Sequence, residues 1–384
     1  MRILIDPGTY NCLNLGDLAM LQVAVRRLRL MAPGATIQVI TDTPAALARH
    51  CPDTEPLSGA ALRLWFDDAI VLPRGQRFVL PVLLDVLRRI KTAFRSRSPR
   101  LLGTFFRLTM PRSQRRDFEA FIRAIYSADA VVICGKGFLT DHVRDQAMVT
   151  LNLVCTAVGR KIPCAMFGQG IGPLSDETVL SVCRELLLKV DLLSLREGIV
   201  GAPLLESMCV PRTRYCVSGD EAIELAYTPS DTAAGTGLGL NVRIAPSAGV
   251  DGNFLEILRP LLAQFICDRP IPLIPLPIAR DHQLRDVRNT GSLIQALGSP
   301  SDGGRHLETT RSLIEETKRC RIVLTGAYHA AVFALAQGIP AICLAKSSYF
   351  QAKFNGLASQ FGKGCVVISL EDPMFERRLL ETLR

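Results

Sequence analysis

Short runs of apolar and β-branched residues alternate with longer segments of helical periodicity along most of the chain. This alternation is typical of βαβ units, in which helices connect parallel strands and cover the sheet. It predicts strands at 2–5, 36–41, 69–72, 130–134, 164–167, 192–195 and 214–217. It predicts helices at 17–31, 79–95, 114–127, 143–159, 176–189 and 198–208. We therefore expect a doubly wound domain at residues 1–228.

The alternation is interrupted at 228–236 by small and polar residues, a composition typical of a linker. It then resumes, with strands predicted at 238–243, 271–276, 322–325, 340–344 and 365–368. Helices are predicted at 253–267, 282–297, 307–319, 328–337, 349–361 and 372–383. The expected fold is α/β, with a second Rossmann-like domain at 237–384. As in B-type glycosyltransferases, the parallel sheets of two such domains face a central cleft, where a ligand is expected.

Length and composition agree with this division. A chain of 384 residues exceeds what one core usually supports, and an apolar fraction of 48% with 21% charged residues suits parallel sheets covered by helices. The chain opens directly on a predicted strand, so no export signal is expected, and no apolar run reaches the ~20 residues of a membrane span. The twelve cysteines are scattered singly, as expected for reduced thiols in a cytoplasmic protein.

The net charge of +9 is unevenly distributed, because residues 86–116 hold ten basic residues and no acidic one. Leucines and phenylalanines are interleaved with them, and the segment 88–116 is predicted to be an insertion between two helices. Two interpretations stay open: peripheral contact with an anionic membrane surface or a polyanionic glycan, or a solvated helix face. No nucleic acid is expected as a partner, because no motif that reads nucleic acids accompanies the charge.

The first candidate for chemistry is the junction after the first strand, where Asn14, Gly16 and Asp17 open a helix. Free backbone N–H groups and the helix dipole suit an anionic or polyhydroxyl ligand there. Asp17 alternatively acts only as a helix cap.

A second junction, after the strand at 130–134, contains Gly135, Lys136, Gly137 and His142. The glycines let the backbone approach a ligand, Lys136 can hold a phosphate or carboxylate, and His142 can carry a proton. The alternative is that His142 only occupies the first turn of the next helix.

A third junction, Gly168-Gln169-Gly170-Ile171-Gly172, has neither the Walker nor the dinucleotide spacing, yet its glycines indicate a tight loop against a ligand. Arg196 follows the strand at 192–195, where a guanidinium can bind a carboxylate or phosphate through two hydrogen bonds. The alternative for Arg196 is an ion pair with Glu197 or Asp220. Arg243 is in the same position relative to the strand at 238–243.

The sharpest signal is Gly326-Ala327-Tyr328-His329, between a strand and an apolar helix. A histidine in the first turn of a helix has its neutral form favoured by the dipole, which suits a general base. The alternative is a structural histidine that caps the loop. Lys346 and Lys353 follow close to the same edge.

The motifs occur in the order found in the polysaccharide pyruvyl transferase family, which the chain resembles over most of its length. Along the chain they are Asn14-x-Gly16-Asp17, the loop 135–141, Gly168–Pro173, Ser194–Arg196, Gly219-Asp220 and Thr325-Gly326 with His329-Ala330. The resemblance implies transfer of a pyruvyl group from phosphoenolpyruvate, or from another anionic donor, to a sugar or glycan acceptor. The product would be a ketal and free phosphate. No cofactor is expected and no residues have metal-ligand spacing, while a role for Mg²⁺ stays open because carboxylate ligands need no compact motif.

The resemblance also implies roles for particular residues. Arg196 would hold the donor, His329 would act as acid or base, and Asp17 is the third catalytic candidate. The residues expected to bind substrate are Asn14, Gly16, Gly135, Lys136, Gly137, His142, Gly168, Gln169, Gly170, Arg243, Gly326, Tyr328 and Lys346.

This chain departs from the family pattern in two places, the last motif and the glycine-rich loop, which Lys136 interrupts. The family usually has Arg-Leu-His after the Thr-Gly, whereas Ala327 and Tyr328 precede His329 here, so one cation is missing. Lys136 is a candidate to supply that charge from the other domain. Two other functions stay open: a glycosyltransferase or related sugar-processing enzyme that uses a nucleotide sugar, and a non-catalytic module that binds glycan or membrane.

Overall fold

The computed structural model describes residues 1–67, 90–91, 95, 98–227, 235–245, 248–250, 252–268, 270–281 and 286–384. Their strands form two parallel sheets covered by helices, which confirms the predicted α/β fold class. Among these residues, no helix is long and apolar enough to cross a bilayer.

The N-terminal sheet contains the first strands of the chain. They are β1 (Arg2–Asp6), β2 (Thr36–Thr41), β3 (Glu55–Ser58), β4 (Ala130–Cys134), β5 (Cys164–Gln169), β6 (Leu192–Leu195) and β7 (Tyr215–Val217). They lie in the order β3-β2-β1-β4-β5-β6-β7, and all neighbours pair in parallel. The order reverses between β1 and β4, so a crevice opens at the carboxyl ends of these two strands.

Helices cover both faces of this sheet. They are α1 (Leu15–Met31), α2 (Pro44–His50), α3 (Gly59–Phe66), α4 (Pro99–Thr109), α5 (Arg112–Ser127), α6 (Arg144–Gly159), α7 (Glu177–Leu186), α8 (Gly201–Ser207) and α9 (Ala222–Ala226). Single 3-10 turns lie at 141–143, 187–189 and 212–214.

The C-terminal sheet is smaller. Its strands are β8 (Gly237–Asn241), β9 (Leu273–Pro275), β10 (Cys320–Thr325), β11 (Ala341–Ala345) and β12 (Cys365–Ser369), in the parallel order β12-β11-β10-β8-β9. Its helices are α10 (Asn253–Asp268), α11 (Asp286–Ala296), α12 (Thr310–Thr317), α13 (Tyr328–Ala336), α14 (Ser348–Phe361) and α15 (Phe375–Leu383). The order reverses between β8 and β10, so a second crevice opens at their carboxyl ends, and the loops after Asn241 and Thr325 flank it.

Apolar packing holds the two sheets and their helices together. One hydrophobic cluster runs from α1 and α9 of the first unit into α12 and α13 of the second. Backbone hydrogen bonds tie the loop before α1 to the loop after β9: the Leu15 N–H donates to Ile278 O over 2.9 Å, and the Arg280 N–H donates to Leu13 O over 2.9 Å. The two walls of the cleft are therefore fixed against each other by buried contacts.

Most predicted strands and helices are confirmed to within a few residues, but some elements were not predicted. The strand β3 is an edge strand with a proline and only Leu57 buried, so it lacks an apolar run. Helices α2 and α3 were also missed, and α4 gives regular structure to part of the basic segment 88–116. The predicted strand 69–72, most of the predicted helix 79–95 and most of the predicted linker 228–236 lie outside the described residues.

Candidate active site

Two motifs that lie far apart in the sequence meet as one contact across the cleft. Asn14 caps α1, because its Oδ1 accepts hydrogen bonds from the N–H groups of Gly16 (3.0 Å) and Asp17 (3.3 Å). The His329 ring, in the first turn of α13, lies directly against Gly16, and a Cβ atom at Gly16 would overlap that ring. Gly16 therefore makes room for the candidate base His329.

Arg196 lies between two loops of the first domain and the start of α13 in the second. It follows the last residue of β6 and is only 3% exposed. Its guanidinium carbon lies 4.6 Å from the centre of the Tyr328 ring, a cation–π contact. A Cβ atom on Gly137 would come within 2.7 Å of its Nη2, and a Cβ atom on Gly170 would overlap the guanidinium. The glycines of two predicted ligand loops thus form the slot that holds this arginine.

Neither Arg196 nor the nearby Lys353 has a carboxylate partner. Within the described residues, no carboxylate oxygen lies within 4.0 Å of either cation, and the buried Nε of Arg196 has no hydrogen-bond partner. Glu197, the predicted alternative partner of Arg196, instead accepts hydrogen bonds of 3.0 Å from the N–H groups of Val200 and Gly201. Two cations close together, neither of them in a direct ion pair with a carboxylate, indicate a site for an anion.

Lys353 lies in the second wall of the cleft, on α14. Its Nζ donates a hydrogen bond of 3.2 Å to the hydroxyl of Tyr349, and that hydroxyl donates one of 2.9 Å to the carbonyl of Gly137. The same Nζ lies 5.1 Å from the centre of the Tyr328 ring. Burial lowers the pKa of Lys353, and the charge of Arg196 lowers it further. Tyr328 therefore contacts both unpaired cations, Arg196 and Lys353.

His329 faces a carboxylate that the first domain supplies. Asp220 follows β7, and its Oδ2 lies 3.6 Å from the Nε2 of His329. Both atoms are buried and have no hydrogen-bond partner, while the other carboxylate oxygen of Asp220 accepts a hydrogen bond of 2.9 Å from the Ala222 N–H. Burial alone would raise the pKa of Asp220, but His329 and Arg196 hold it below its ordinary value of 3.8. The pair suits a histidine that takes up and releases a proton, with an aspartate to stabilise the charged form.

Glu221 is a functional candidate that the sequence analysis missed. Its carboxyl group lies directly against Gly168, so a Cβ atom at that position would overlap it. Its Oε2 is buried and has no hydrogen-bond partner. Burial and the neighbouring charge of Asp220 raise the pKa of Glu221 to about 8, so its carboxyl group is mostly protonated at neutral pH. The available signal was its position beside Asp220, just past the carboxyl end of β7.

Two predicted anion ligands already have carboxylate partners inside their own domains. The Nζ of Lys136 lies 2.5 Å from Asp6 Oδ2 in a pair that is almost completely buried, and burial lowers the pKa of Lys136. The Nη1 of Arg243 lies 3.2 Å from Asp286 Oδ2. Their roles as anion ligands stay predictions, and the structure gives each of them an internal partner. Gly326 packs close to the Cβ of Arg243.

The remaining predicted residues lie in different surroundings, from fully buried to exposed. Asp17 lies with its carboxylate close to Gly8. The exposed ring of His142 lies at the rim, 5.2 Å from the centre of the Tyr349 ring. Gly135 has a φ of +48° and packs on Met20, and the side chain of Gln169 donates to the carbonyls of Ile133 and Phe167. Lys346 is exposed at the end of β11.

A cavity of about 280 Å³ adjoins this cluster on the side of the first domain. Its walls include Gly8, whose neighbour is Asp17, and Phe138, whose neighbour Gly137 contacts Arg196. Its polar and aromatic lining includes Tyr10, Asn11, Asp145 and Gln146. A larger cavity, of about 800 Å³, lies beside α11 and contains none of the predicted site residues.

Comparisons with known proteins identify the family. A model of the family described as polysaccharide pyruvyl transferase matches residues 14–348. No curated protein matches the chain.

Several solved structures resemble the chain in fold. The UDP-GlcNAc 2-epimerase of Neisseria meningitidis bound to UDP-GlcNAc is 11% identical with a TM-score of 0.53, and the match covers 100% of this chain and 90% of that one. A putative UDP-N-acetylglucosamine 2-epimerase of Listeria monocytogenes is 10% identical with a TM-score of 0.54, covering 100% and 86%. MurG of Acinetobacter baumannii is 11% identical with a TM-score of 0.52, covering 100% and 90%.

At such low identity, these structures show a common fold and nothing about the reaction of this chain. The family match, by contrast, covers most of the chain, from Asn14 past His329, and ends just before Tyr349 and Lys353. The chain is a transferase that belongs to the polysaccharide pyruvyl transferase family.

Proposed function

We propose that this protein transfers the pyruvyl group of phosphoenolpyruvate to two hydroxyl groups of a sugar in a glycan or glycolipid precursor. The product is a cyclic ketal that carries a carboxylate, and inorganic phosphate is released. The observation that carries the proposal is the pair of unpaired cations, Arg196 and Lys353, on the ring of Tyr328. Two like charges held together, neither of them in a direct ion pair, favour binding of a small, doubly anionic donor.

The carboxylate and the phosphate of the donor need at least two positive groups. Arg196 is fixed by stacking and by its glycine slot, so it suits the geometry of a planar carboxylate or of a phosphate. Lys353 brings the second charge from the C-terminal domain. We infer that Lys353 supplies the charge that the family pattern assigns to an arginine at the position of Ala327.

The reaction needs proton transfers as well as charge stabilisation. The enol carbon gains a proton, one sugar hydroxyl attacks the adjacent carbon, and the second hydroxyl replaces the phosphate. The proton lost by one hydroxyl offsets the proton that the new methyl group gains, and the proton of the other hydroxyl leaves with the phosphate. His329, facing Asp220, is the proposed group that accepts a proton from an attacking hydroxyl. The protonated carboxyl of Glu221 is a second source of a proton in the same cleft.

The acceptor sugar is proposed to enter the cavity lined by Tyr10 and Phe138. Its volume of about 280 Å³ suits a single sugar unit, and Asn11, Asp145 and Gln146 offer hydrogen-bonding groups beside the two rings. The proposal implies a role in exopolysaccharide synthesis in the cytoplasm, where phosphoenolpyruvate is made. The twelve cysteines, all free thiols, agree with a reducing compartment.

The proposal is tested by incubating the protein with phosphoenolpyruvate and a panel of glycans and lipid-linked sugars. Phosphate release that depends on the acceptor, with a new ketal methyl signal by NMR, is the expected result. Replacement of His329 by asparagine should lower kcat by about 100-fold or more, as for loss of a general base. Phosphate release without a ketal, or a ketal formed equally well by the His329→Asn variant, would contradict the proposed chemistry.

A second pair of variants separates the role of Lys353 from a general effect of charge. Lys353→Met should raise the KM for phosphoenolpyruvate by about 10- to 100-fold, because a charge-assisted hydrogen bond is lost. The control is Lys363→Met, which removes an exposed lysine outside the cleft. Equal KM values for the two variants would remove Lys353 from the donor site.

A further inference from the structure

The helix α4 has two apolar faces, and the first of them packs on the protein. Leu102 is 8% exposed, and the Phe106 ring lies edge-on to Trp65 and Phe118, with ring centres 6.4 and 5.8 Å away. These contacts fix the helix on the surface of the N-terminal domain. One apolar face is enough to hold a surface helix in place.

The second apolar face of α4 points into solvent. Leu101, Phe105 and Leu108 are 63%, 59% and 68% exposed. Their spacing of four and three residues aligns them in a single stripe along the helix. Three large apolar side chains in one exposed stripe cost free energy in water, so this stripe indicates a surface that another apolar phase covers.

An arginine groove lies beside this stripe. It has a volume of about 640 Å³, and its walls carry Arg100 and Arg107 of α4, Arg123 of α5, Arg160 after α6, and one acidic residue, Glu119. A step of one residue turns a helix by about 100°, so Arg100 projects from the side of α4 that adjoins Leu101.

We propose that this apolar stripe and arginine groove dock on an anionic lipid bilayer. The stripe enters the boundary between headgroups and acyl chains, and the arginines bind lipid phosphates, for which a guanidinium has the best geometry. A helix of 11 residues is too short to span the bilayer, so it lies in the interface. The surface would hold the cleft close to lipid-linked acceptors.

A second copy of this chain is a poorer occupant of the same surface. In a two-fold symmetric dimer, each patch faces its own copy, so the four arginines of one groove would meet the four of the other. The resulting like-charge repulsion disfavours that contact. A bilayer that contains anionic lipids complements both the apolar stripe and the basic groove.

Sedimentation of the full-length protein with vesicles tests this proposal. Vesicles of phosphatidylcholine alone and of phosphatidylcholine mixed with phosphatidylglycerol are compared at low and high salt. Binding should be strong only on the anionic vesicles and should weaken as salt rises. No binding to either vesicle, or equal binding to both, would overturn the proposal.

Matched variants test the stripe. The triple variant Leu101→Ser/Phe105→Ser/Leu108→Ser should weaken partitioning by on the order of tenfold or more. The control Leu30→Ser/Met31→Ser removes two side chains of α1 that are 76% and 71% exposed, and it should bind as the wild type does. Two results would contradict docking of the stripe on lipid. One is an equal loss of vesicle binding in the triple variant and in the control, and the other is a protein dimer that the triple variant disrupts and the control does not.

A second set of variants tests the groove. Arg123→Gln/Arg160→Gln should weaken binding to anionic vesicles by about fivefold for each charge. Arg377→Gln/Arg378→Gln removes two exposed arginines of α15 as the control. If the triple variant of the stripe unfolds, Phe105→Ser alone replaces it, with thermal unfolding as the check. Binding of phosphoenolpyruvate should stay unchanged in all these variants, so failure of this proposal is distinguishable from failure of the proposed reaction.

Discussion

Replacement of Glu221 by glutamine should change how stability depends on pH. The Glu221 carboxyl group is buried against Gly168, one of its oxygens has no hydrogen-bond partner, and Asp220 is its neighbour in the chain. Both the burial and the negative charge of Asp220 favour the protonated form, and they raise the pKa from 4.5 to about 8. Glutamine keeps the size of the side chain and cannot ionise.

The direction of this pH dependence follows from the pKa of Glu221 in the unfolded and in the folded chain. In the unfolded chain Glu221 loses its proton near pH 4.5, whereas in the folded chain it keeps the proton up to about pH 8. Between these values the folded state binds more protons, so the free energy of unfolding falls as pH rises. Each pKa unit corresponds to about 1.4 kcal/mol, so Glu221 should account for a loss of about 3 kcal/mol between pH 5 and pH 7.5.

Urea unfolding of the wild type and of Glu221→Gln, followed at a series of pH values, measures this difference. Between pH 5 and pH 7.5, the free energy of unfolding of the wild type should fall by about 3 kcal/mol more than that of the variant. Glu224→Gln is the control, because Arg26 and Arg27 hold the pKa of Glu224 below 4.5, so that it is already ionised throughout. Parallel curves for the wild type and Glu221→Gln would refute the reasoning.

Two further predictions concern buried contacts of the cleft. Gly16→Ala brings a Cβ into the His329 ring, so it should lower the free energy of unfolding by about 1–3 kcal/mol and reduce activity. In the control Gly34→Ala the new Cβ meets no atom within 4 Å, and the free energy of unfolding should change by less than about 1 kcal/mol. Lys136→Met removes the cation that pairs with the buried Asp6 and leaves that carboxylate with the hydroxyl of Tyr10 as a hydrogen-bond donor. It should cost about 3–5 kcal/mol in urea unfolding, and adding Asp6→Asn should recover most of that loss. A stable Lys136→Met protein that no longer binds phosphoenolpyruvate would instead support the predicted role of Lys136 as an anion ligand.

The sequence predicted the sheets well because the parallel strands are short buried apolar runs. Strands β1 and β4, for example, have four buried residues each, so their pattern is continuous. Since the candidate motifs follow such strands, their position at the carboxyl ends of the sheets could also be predicted. The edge strand β3 escaped prediction because only one of its residues is buried.

The sequence could not predict what the glycine loops hold. Glycines at 16, 137, 168 and 170 were interpreted as places where the backbone approaches a ligand. In the structure, each of them makes room for a side chain of the site, namely His329, Arg196 or Glu221. A missing Cβ leaves space for any group, and the sequence does not say which group fills it.

The sequence also could not predict the partners of the charged residues. Lys136 stands between two glycines and reads as a ligand, but its partner Asp6 is 130 residues away and ends β1. Lys353 lies on a helix of the second domain and reaches Gly137 through Tyr349. The first contact depends on the pairing of β1 with β4, and the second depends on how the two sheets pack against each other. No local pattern encodes either of them.

The central claim is that Arg196 forms the anion site of the cleft, and calorimetric titration with phosphoenolpyruvate tests it most directly. The wild type and Arg377→Gln, an exposed arginine far along the chain, should show the same saturable binding, and Arg196→Gln should lose it. The same titration with a panel of nucleotide sugars should give no binding. Unchanged affinity in Arg196→Gln, or saturable binding of a nucleotide sugar in place of phosphoenolpyruvate, would contradict the account.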